Sequence, residues 1–316
     1  MYFPYVFGRA SELLAIRSSS VNYLSSGLVI PIVEPIVTKP AALVKAIEEI
    51  GQRDQKAIVI TNPSQGELKG GPGPAWVAAV DAAVTAHASI IPGYLCRAGV
   101  THAEVVAFLA KHSQREVALL YLNTGLPDAV IQSLALVPNV SYHITLQGKI
   151  PTSQLSLLPQ AKSVHIFDHF IKQPRNADYV GKEHFTDRHK SYTEYGAGFG
   201  DYTITGCEVQ MGGGPPGAVA VHITYRSQAD GNLWVQHFVS DDTEIGVGTT
   251  EGKFLQAISK FAAEYHARGA EFGVNSAIHD YLHNHNNSHY PGLGKNKERQ
   301  IQHHIARVHD FLLTGI

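Results

Sequence analysis

Residues Leu28 to Pro35 read LVIPIVEP, and residues Ala57 to Asn62 read AIVITN. Both runs are short, β-branched and apolar, the pattern of a strand covered on both faces. Between them, Pro40 to Gln52 reads as a helix, with Pro40 suited to a first-turn position. Strand, helix and strand in that order make a parallel unit. The unit recurs along the chain. Further strands are expected at Ser89 to Cys96, Glu116 to Asn123, Val140 to Thr145, Ser163 to Asp168, Phe199 to Gly206 and Ala218 to Arg226. Helices are expected between them at Trp76 to Ala86, after the capping box of Thr101 and Glu104, at Pro127 to Leu136 and at Ser153 to Leu158. These strands number eight, and the spacing predicts a (β/α)8, TIM-like barrel with a C-terminal helical extension. An open doubly wound sheet is the alternative. It is weakened because no GxGxxG follows the first strand.

Leu233 to Val239 reads as a hairpin partner of the eighth strand across Asp230-Gly231-Asn232. Thr250 to Arg268 carries Phe254, Ile258, Phe261 and Tyr265 on one face and is expected to be the eighth barrel helix. Asn275 to Asn287 is a polar helix, and Ile301, Ile305, Val308 and Leu312 stripe the last one. The expected division is a barrel over 1–270 and an extension over 271–316 packed on it. The extension's apolar stripe is too small for a core of its own.

Composition narrows the function classes. With 44% apolar residues in 316, the chain can bury a real core. Twenty-five basic and 27 acidic residues give a net charge of −2, so nothing draws the whole chain to nucleic acid or an anionic membrane. The start, MYFPYVFGRASE, lacks the layout of a signal peptide. No run reaches the roughly 18 apolar residues of a membrane span. The two cysteines, Cys96 and Cys207, cannot form a disulfide framework, so a reducing compartment is expected. GxSxG, Walker and HExxH motifs are absent.

In such a barrel, chemistry gathers where strands end. The expected strand ends carry Glu34, Asn62, Arg97, Asn123, His143 with Gln147, Asp168 with His169, and Tyr225 with Arg226. Glu34 lies inside an apolar run, where desolvation would suit it to acid or base work. Glu34 and Asp168 together could hold a divalent metal or divide acid and base roles, with His143 completing the set. Asn62, Asn123 and Arg226 are the candidate substrate-binding groups. Asp201 is expected at the opposite end, early in a strand that begins at Phe199. The loop Met211 to Gly217, MGGGPPG, could cradle phosphate between the last two strands. His279 with His283, and His285 with His289, share helix faces but read as surface histidines. Lys295, Lys297 and Arg299 beside His303 and His304 read as a solvated helix start or an anion- or partner-touching patch.

Several segments together resemble the bacterial and phage "beta protein" family and its relatives in mobile or defence-associated loci. They are MYFPYVFGRASELLAIR, IPIVEPI, ITNP, GFGDYTITG, AVHITYR, LWVQHFVSD and GLGKNKERQIQHHI, and they span nearly the whole chain. The resemblance implies a barrel-like fold and a cytoplasmic bacterial or phage origin. It makes Arg9, Glu34, Asn62, Asp201, His237 and His304 candidates, and it implies little chemistry.

Two functions follow as expectations. The first is an enzyme acting on a small or phosphate-bearing substrate, by hydrolysis or phosphodiester chemistry, with a divalent metal as its conceivable cofactor. The second is a non-catalytic scaffold that binds a protein partner, such as a defence effector. Direct nucleic-acid binding and membrane association are not expected.

Overall fold

The computed structural model describes residues 1–212, 214 and 216–314. Its contacts fall into two compact units. One is Met1–Asp168 with Lys190–Tyr202, and the other is His169–His189 with Thr203–Ile316.

The first unit is a closed barrel of eight parallel strands. They are β1 (Tyr2–Val6), β2 (Ile32–Val33), β3 (Ala57–Ile60), β4 (Ile90–Arg97), β5 (Val117–Leu122), β6 (Val140–Leu146) and β7 (Ser163–Phe167), closed by β9 (Gly198–Asp201). The strand between, β8 (Lys182–Thr186), belongs to the second unit. Helices α1 (Ala10–Asn22), α2 (Ala41–Gly51), α3 (Pro74–Ala86), α4 (His102–Lys111), α5 (Asp128–Ala135) and the one-turn α6 (Thr152–Leu155) separate the first seven strands. Their sequence logic is local. α2 buries Leu43, Ala46, Ile47 and Ile50, a three- and four-residue spacing. α4 starts on the expected capping box, in which Thr101 and Glu104 satisfy each other's backbone N–H.

The barrel is the expected fold, but the strand set differs. β1 enters it unforeseen, because Pro4 breaks the signal of YFPYV. Ala218 to Arg226 leaves it, because that run pairs antiparallel in another sheet. β2 keeps its place despite Pro31. Ile30 and Glu34 donate to Tyr2 and Val6, while the Pro31 carbonyl accepts from Ile58.

Register sorts the side chains. Tyr5 lies beside Ile32, Ile32 beside Ile58, Ile58 beside Ile91, and Leu120 beside Ile144. Alternation then puts Phe3, Tyr5, Glu34, Arg97 and Tyr202 on the inward face. Phe3 packs edge-on against Tyr142 at 5.2 Å inside the barrel. The outward face of β4 to β6 meets helices through Cys96, Leu119, Tyr121, Phe108, Ile131 and Leu134.

The second unit has a three-stranded antiparallel sheet in the order β10 (Ala220–Arg226), β11 (Leu233–Val239), β8. The expected hairpin across Asp230-Gly231-Asn232 forms, with Gly231 at φ 68°. Three helices follow: α7 (Thr250–Phe272), α8 (Ser276–Asn286) and α9 (Leu293–Thr314). α7 is not a barrel helix. Its Phe254, Ile258 and Phe261 cover Val219, Val221, Ile223 and Tyr225 of this sheet. The contact division also departs from the expected boundary at 270, since the barrel's last strand ends at Asp201.

α9 lies on the open edge of β10 and meets its backbone with side chains. Asn296 Nδ2 donates to the Ala220 carbonyl at 3.4 Å. Gln300 Oε1 accepts from the His222 N–H at 3.2 Å. His303 Nε2 donates to the Thr224 carbonyl at 2.6 Å, and its Nδ1 accepts from Asn275 Nδ2 at 3.0 Å. Alternate residues of an edge strand point both polar groups outward, and a helix repeat of three and four residues places 296, 300 and 303 along that row. The segment read as a solvated basic patch is therefore a buried polar seam. Among the described residues, no helix is long and apolar enough to cross a membrane.

Candidate active site at the barrel mouth

Glu34 follows β2 directly, with its N–H held by the Val6 carbonyl at 2.9 Å. Its side chain is buried. Tyr5 Oη donates to Oε2 at 2.5 Å, and Gln65 Nε2 reaches both oxygens at 3.0 and 3.1 Å. Burial pushes the carboxyl above its ordinary range. The Tyr5 and Gln65 hydrogen bonds and the charge of Arg97 oppose that rise. Tyr5 itself is held protonated, first by burial and then by the charge of Glu34. Its ring lies 4.8 Å from that of Tyr202, which stacks near Phe7 at 6.0 Å. Gln147 Nε2 donates to Tyr202 Oη at 3.3 Å. Gln147 has a positive φ of 56°, as does Asn123 at 49°, each just past a strand. One end of the barrel thus brings a desolvated acid, two tyrosines, two carboxamides and a guanidinium onto neighbouring strand ends.

The expected residues fare differently. Arg97 lies inward at the end of β4, and its Nε is buried without a hydrogen-bond partner among the described residues. Asn62 latches the sheet: Nδ2 donates to the Leu95 carbonyl at 3.0 Å and Oδ1 accepts from its N–H at 2.8 Å. That amide extends the β3–β4 ladder rather than waiting for a substrate. Asn123 is exposed, and its left-handed backbone explains the residue type. Arg9 is tied to buried Glu12 at 2.9 Å. Asp168 is exposed after β7, unlike Glu34. No group of three or more His, Cys, Asp or Glu residues suited to a metal occurs among the described residues.

His143 is not at the mouth. It sits mid-strand in β6, fully buried on the outward face, with Nδ1 2.9 Å from Tyr121 Oη. Burial lowers its pKa to about 4. Arg226, His237 and His304 belong to the second unit with Tyr225 and His169. His237 faces His222 across β10 and β11, Nδ1 to Nδ1, at 2.8 Å. His304 Nδ1 meets Thr224 Oγ1 at 2.7 Å. Of the loop Met211 to Gly217, Gly213 and Pro215 lie outside the described residues. The loop joins no two barrel strands, and the carbonyls of Pro216 and Gly217 accept from Lys253 Nζ at 3.4 and 2.6 Å. His279, His283 and His289 are exposed, as expected.

Asp201 corrects the expected strand boundary. β9 stops at Asp201 and the backbone turns at Thr203, φ 53°, so Asp201 lies at the same end as Glu34. Alternation with Gly200 and Tyr202 turns its side chain outward, where Tyr2 Oη donates to Oδ1 at 2.8 Å. Tyr2→Phe is expected to lower stability by about 1–3 kcal/mol, because the buried Asp201 Oδ1 loses the Tyr2 donor. Urea denaturation at neutral pH measures this. An unchanged midpoint would show that the Tyr2 bond contributes nothing.

Tyr5, Gln65 and Tyr202 were not among the expected site residues. The alternation in YFPYVF was the available signal for Tyr5; only the fold brings Gln65 and Tyr202 to Glu34 and Tyr5.

No family model matches the sequence, and no curated protein matches it. Among solved structures, the chain is similar to a mandelate racemase/muconate lactonizing protein from Herpetosiphon aurantiacus. Identity is 12%, the TM-score is 0.35, and the likeness covers 74% of this chain and 60% of that one. A likeness of that size carries no chemistry across.

Proposed function

We propose that the mouth of the barrel is an enzyme active site in which Glu34 gives and takes the proton. The observation that carries this reading is a desolvated carboxylate at a strand end, held in place by Tyr5 and Gln65. Raised acids at the catalytic end of a barrel suit general acid–base work near neutral pH. Tyr5 orients the carboxyl, and Tyr202 with Gln147 offers a polar wall. Arg97, with its buried Nε unpartnered among the described residues, favours a substrate bearing an anionic group. Hydrolysis of a small phosphate-bearing molecule or phosphodiester is the reaction class we favour. A metal shared by Glu34 and Asp168 would have to displace hydrogen bonds that both Glu34 oxygens already accept.

The test uses Glu34→Gln, which keeps the shape. A raised carboxyl pKa means that the folded state binds the proton more tightly than the unfolded chain. The carboxylate then costs stability as pH rises from about 4.3 through the folded value. Glu34→Gln is therefore expected to melt no lower than wild type at pH 7. It is also expected to lose turnover of a panel of small phosphate esters and phosphodiesters that wild type hydrolyses. A variant that melts lower and turns over the panel like wild type makes Glu34 a structural carboxylate. That result would move the weight to the second expectation from the sequence, a scaffold for a protein partner.

A further inference from the structure

The second unit carries a cleft of about 400 Å³ lined by Arg226, Ser227, Gln228, Gly231, Ala270 and Arg307. Two guanidinium groups line the same cleft. Arg226 ends β10 and lies over the Phe311 ring at 4.6 Å. It makes no hydrogen bond or ion pair to any described residue. Arg307 projects from α9 and is largely buried, with 11% of its side chain exposed. Its single ion partner among the described residues is Asp310 at 3.3 Å, and its Nε is buried without a hydrogen-bond partner. Burial pushes the Arg307 guanidinium below its ordinary value. Asp310 opposes the change, and the nearby charge of Arg226 adds to it.

Asp310 offsets the charge of Arg307 and leaves that of Arg226. Glu271 accepts from the Gln228 N–H at 2.9 Å and shares Arg268 with Glu264, at 2.5 and 2.6 Å. Asp230 accepts from the Asn232 N–H and from Trp234 Nε1. Gly273, at φ 75°, lies against the Arg307 guanidinium, where a side chain would collide. The chain therefore keeps two like charges together in a concave, polar site and leaves donors of both free. Such an arrangement is costly empty and is relieved by an anion that takes several charge-assisted hydrogen bonds at once.

We propose that this cleft is a binding site for a phosphate group, with Arg226 and Arg307 as its two anchors. Its volume accommodates a small phosphomonoester as well as the free ion. The site lies wholly within the second unit and does not depend on the chemistry assigned to Glu34.

Calorimetric titration with inorganic phosphate and with glycerol phosphate tests it, at constant ionic strength set with sodium chloride. Saturable binding to wild type is expected, weakened roughly 10- to 100-fold in Arg226→Gln and in Arg307→Gln. Tighter binding of the ester identifies an organic phosphate as the source, and equal binding identifies the free ion. Arg307→Gln could unfold, since α9 is packed through that residue. Arg226→Gln, which forfeits no hydrogen bond, then decides alone. No saturable binding to wild type, or equal binding by wild type and Arg226→Gln, overturns the proposal.

Discussion

Gly200→Ala is expected to prevent the barrel from closing. β9 pairs with β7 on one side and β1 on the other, so it is the seam of the sheet. A Cβ on Gly200 would collide with the Phe3 carbonyl oxygen and with Ile166 Cδ1. The isoleucine could rotate away. The carbonyl could not, because β1 is fixed by ladders to both β2 and β9. Overpacking against backbone belongs to the rare class costing more than about 4 kcal/mol. That is a large share of the roughly 5–15 kcal/mol that holds a typical domain. Gly70→Ala is the control, since a Cβ there meets nothing within 4 Å. The expected outcome is a urea midpoint near wild type for Gly70→Ala and no cooperative barrel transition for Gly200→Ala. A Gly200→Ala protein with a wild-type midpoint would mean that the seam opens and recloses around a methyl group.

Acid is expected to unfold the protein well above the range where carboxylates alone would do so. Burial lowers His143 and His237 to about 4 and His303 to about 3, and burial beside His237 holds His222 well below its ordinary value. In the unfolded chain each titrates near 6.5. The folded form thus refuses protons that the unfolded form accepts. Their neutral-state stability is whole above about pH 6.5 and is lost as pH falls toward the folded values. Each contributes roughly 1.4 kcal/mol per pH unit across that window, with His222 and His237 titrating as a pair. Urea midpoints between pH 7.5 and 4.5 should fall steeply, and His143→Gln should flatten the slope. A midpoint independent of pH over that window would would show that these histidines are hydrated or charged in the folded protein.

Much of the architecture was legible because β3 to β7 are continuous apolar runs between amphipathic helices. The misplaced pieces have physical causes. Pro4 hides β1, although its carbonyl side still joins the sheet. Ala218 to Arg226 looks like a barrel strand because both its faces are covered, one by α7 and the other by Phe170, Tyr179 and His304. Its hairpin partner was visible in Leu233 to Val239, and antiparallel pairing is what removes it from the barrel. At the mouth, Glu34 stood out because a carboxylate in an apolar run demands an explanation. Its partners did not, since Tyr5 and Gln65 lie 29 and 31 residues away in sequence. His143 misled because strand alternation, which decides inside from outside, depends on a register no single strand reveals.

The seam between α9 and β10 also bears on how the chain behaves in a crowd of its own copies. A free strand edge is a template for strands from other molecules. Asn296, Gln300 and His303 occupy that template with side chains that cannot propagate a sheet, so no further strand can add beside β10. The polar face of the last helix is, in this sense, a guard against polymerisation. A chain that lost it by truncation or proteolysis would expose an adhesive edge on a sheet still rich in Val and Ile.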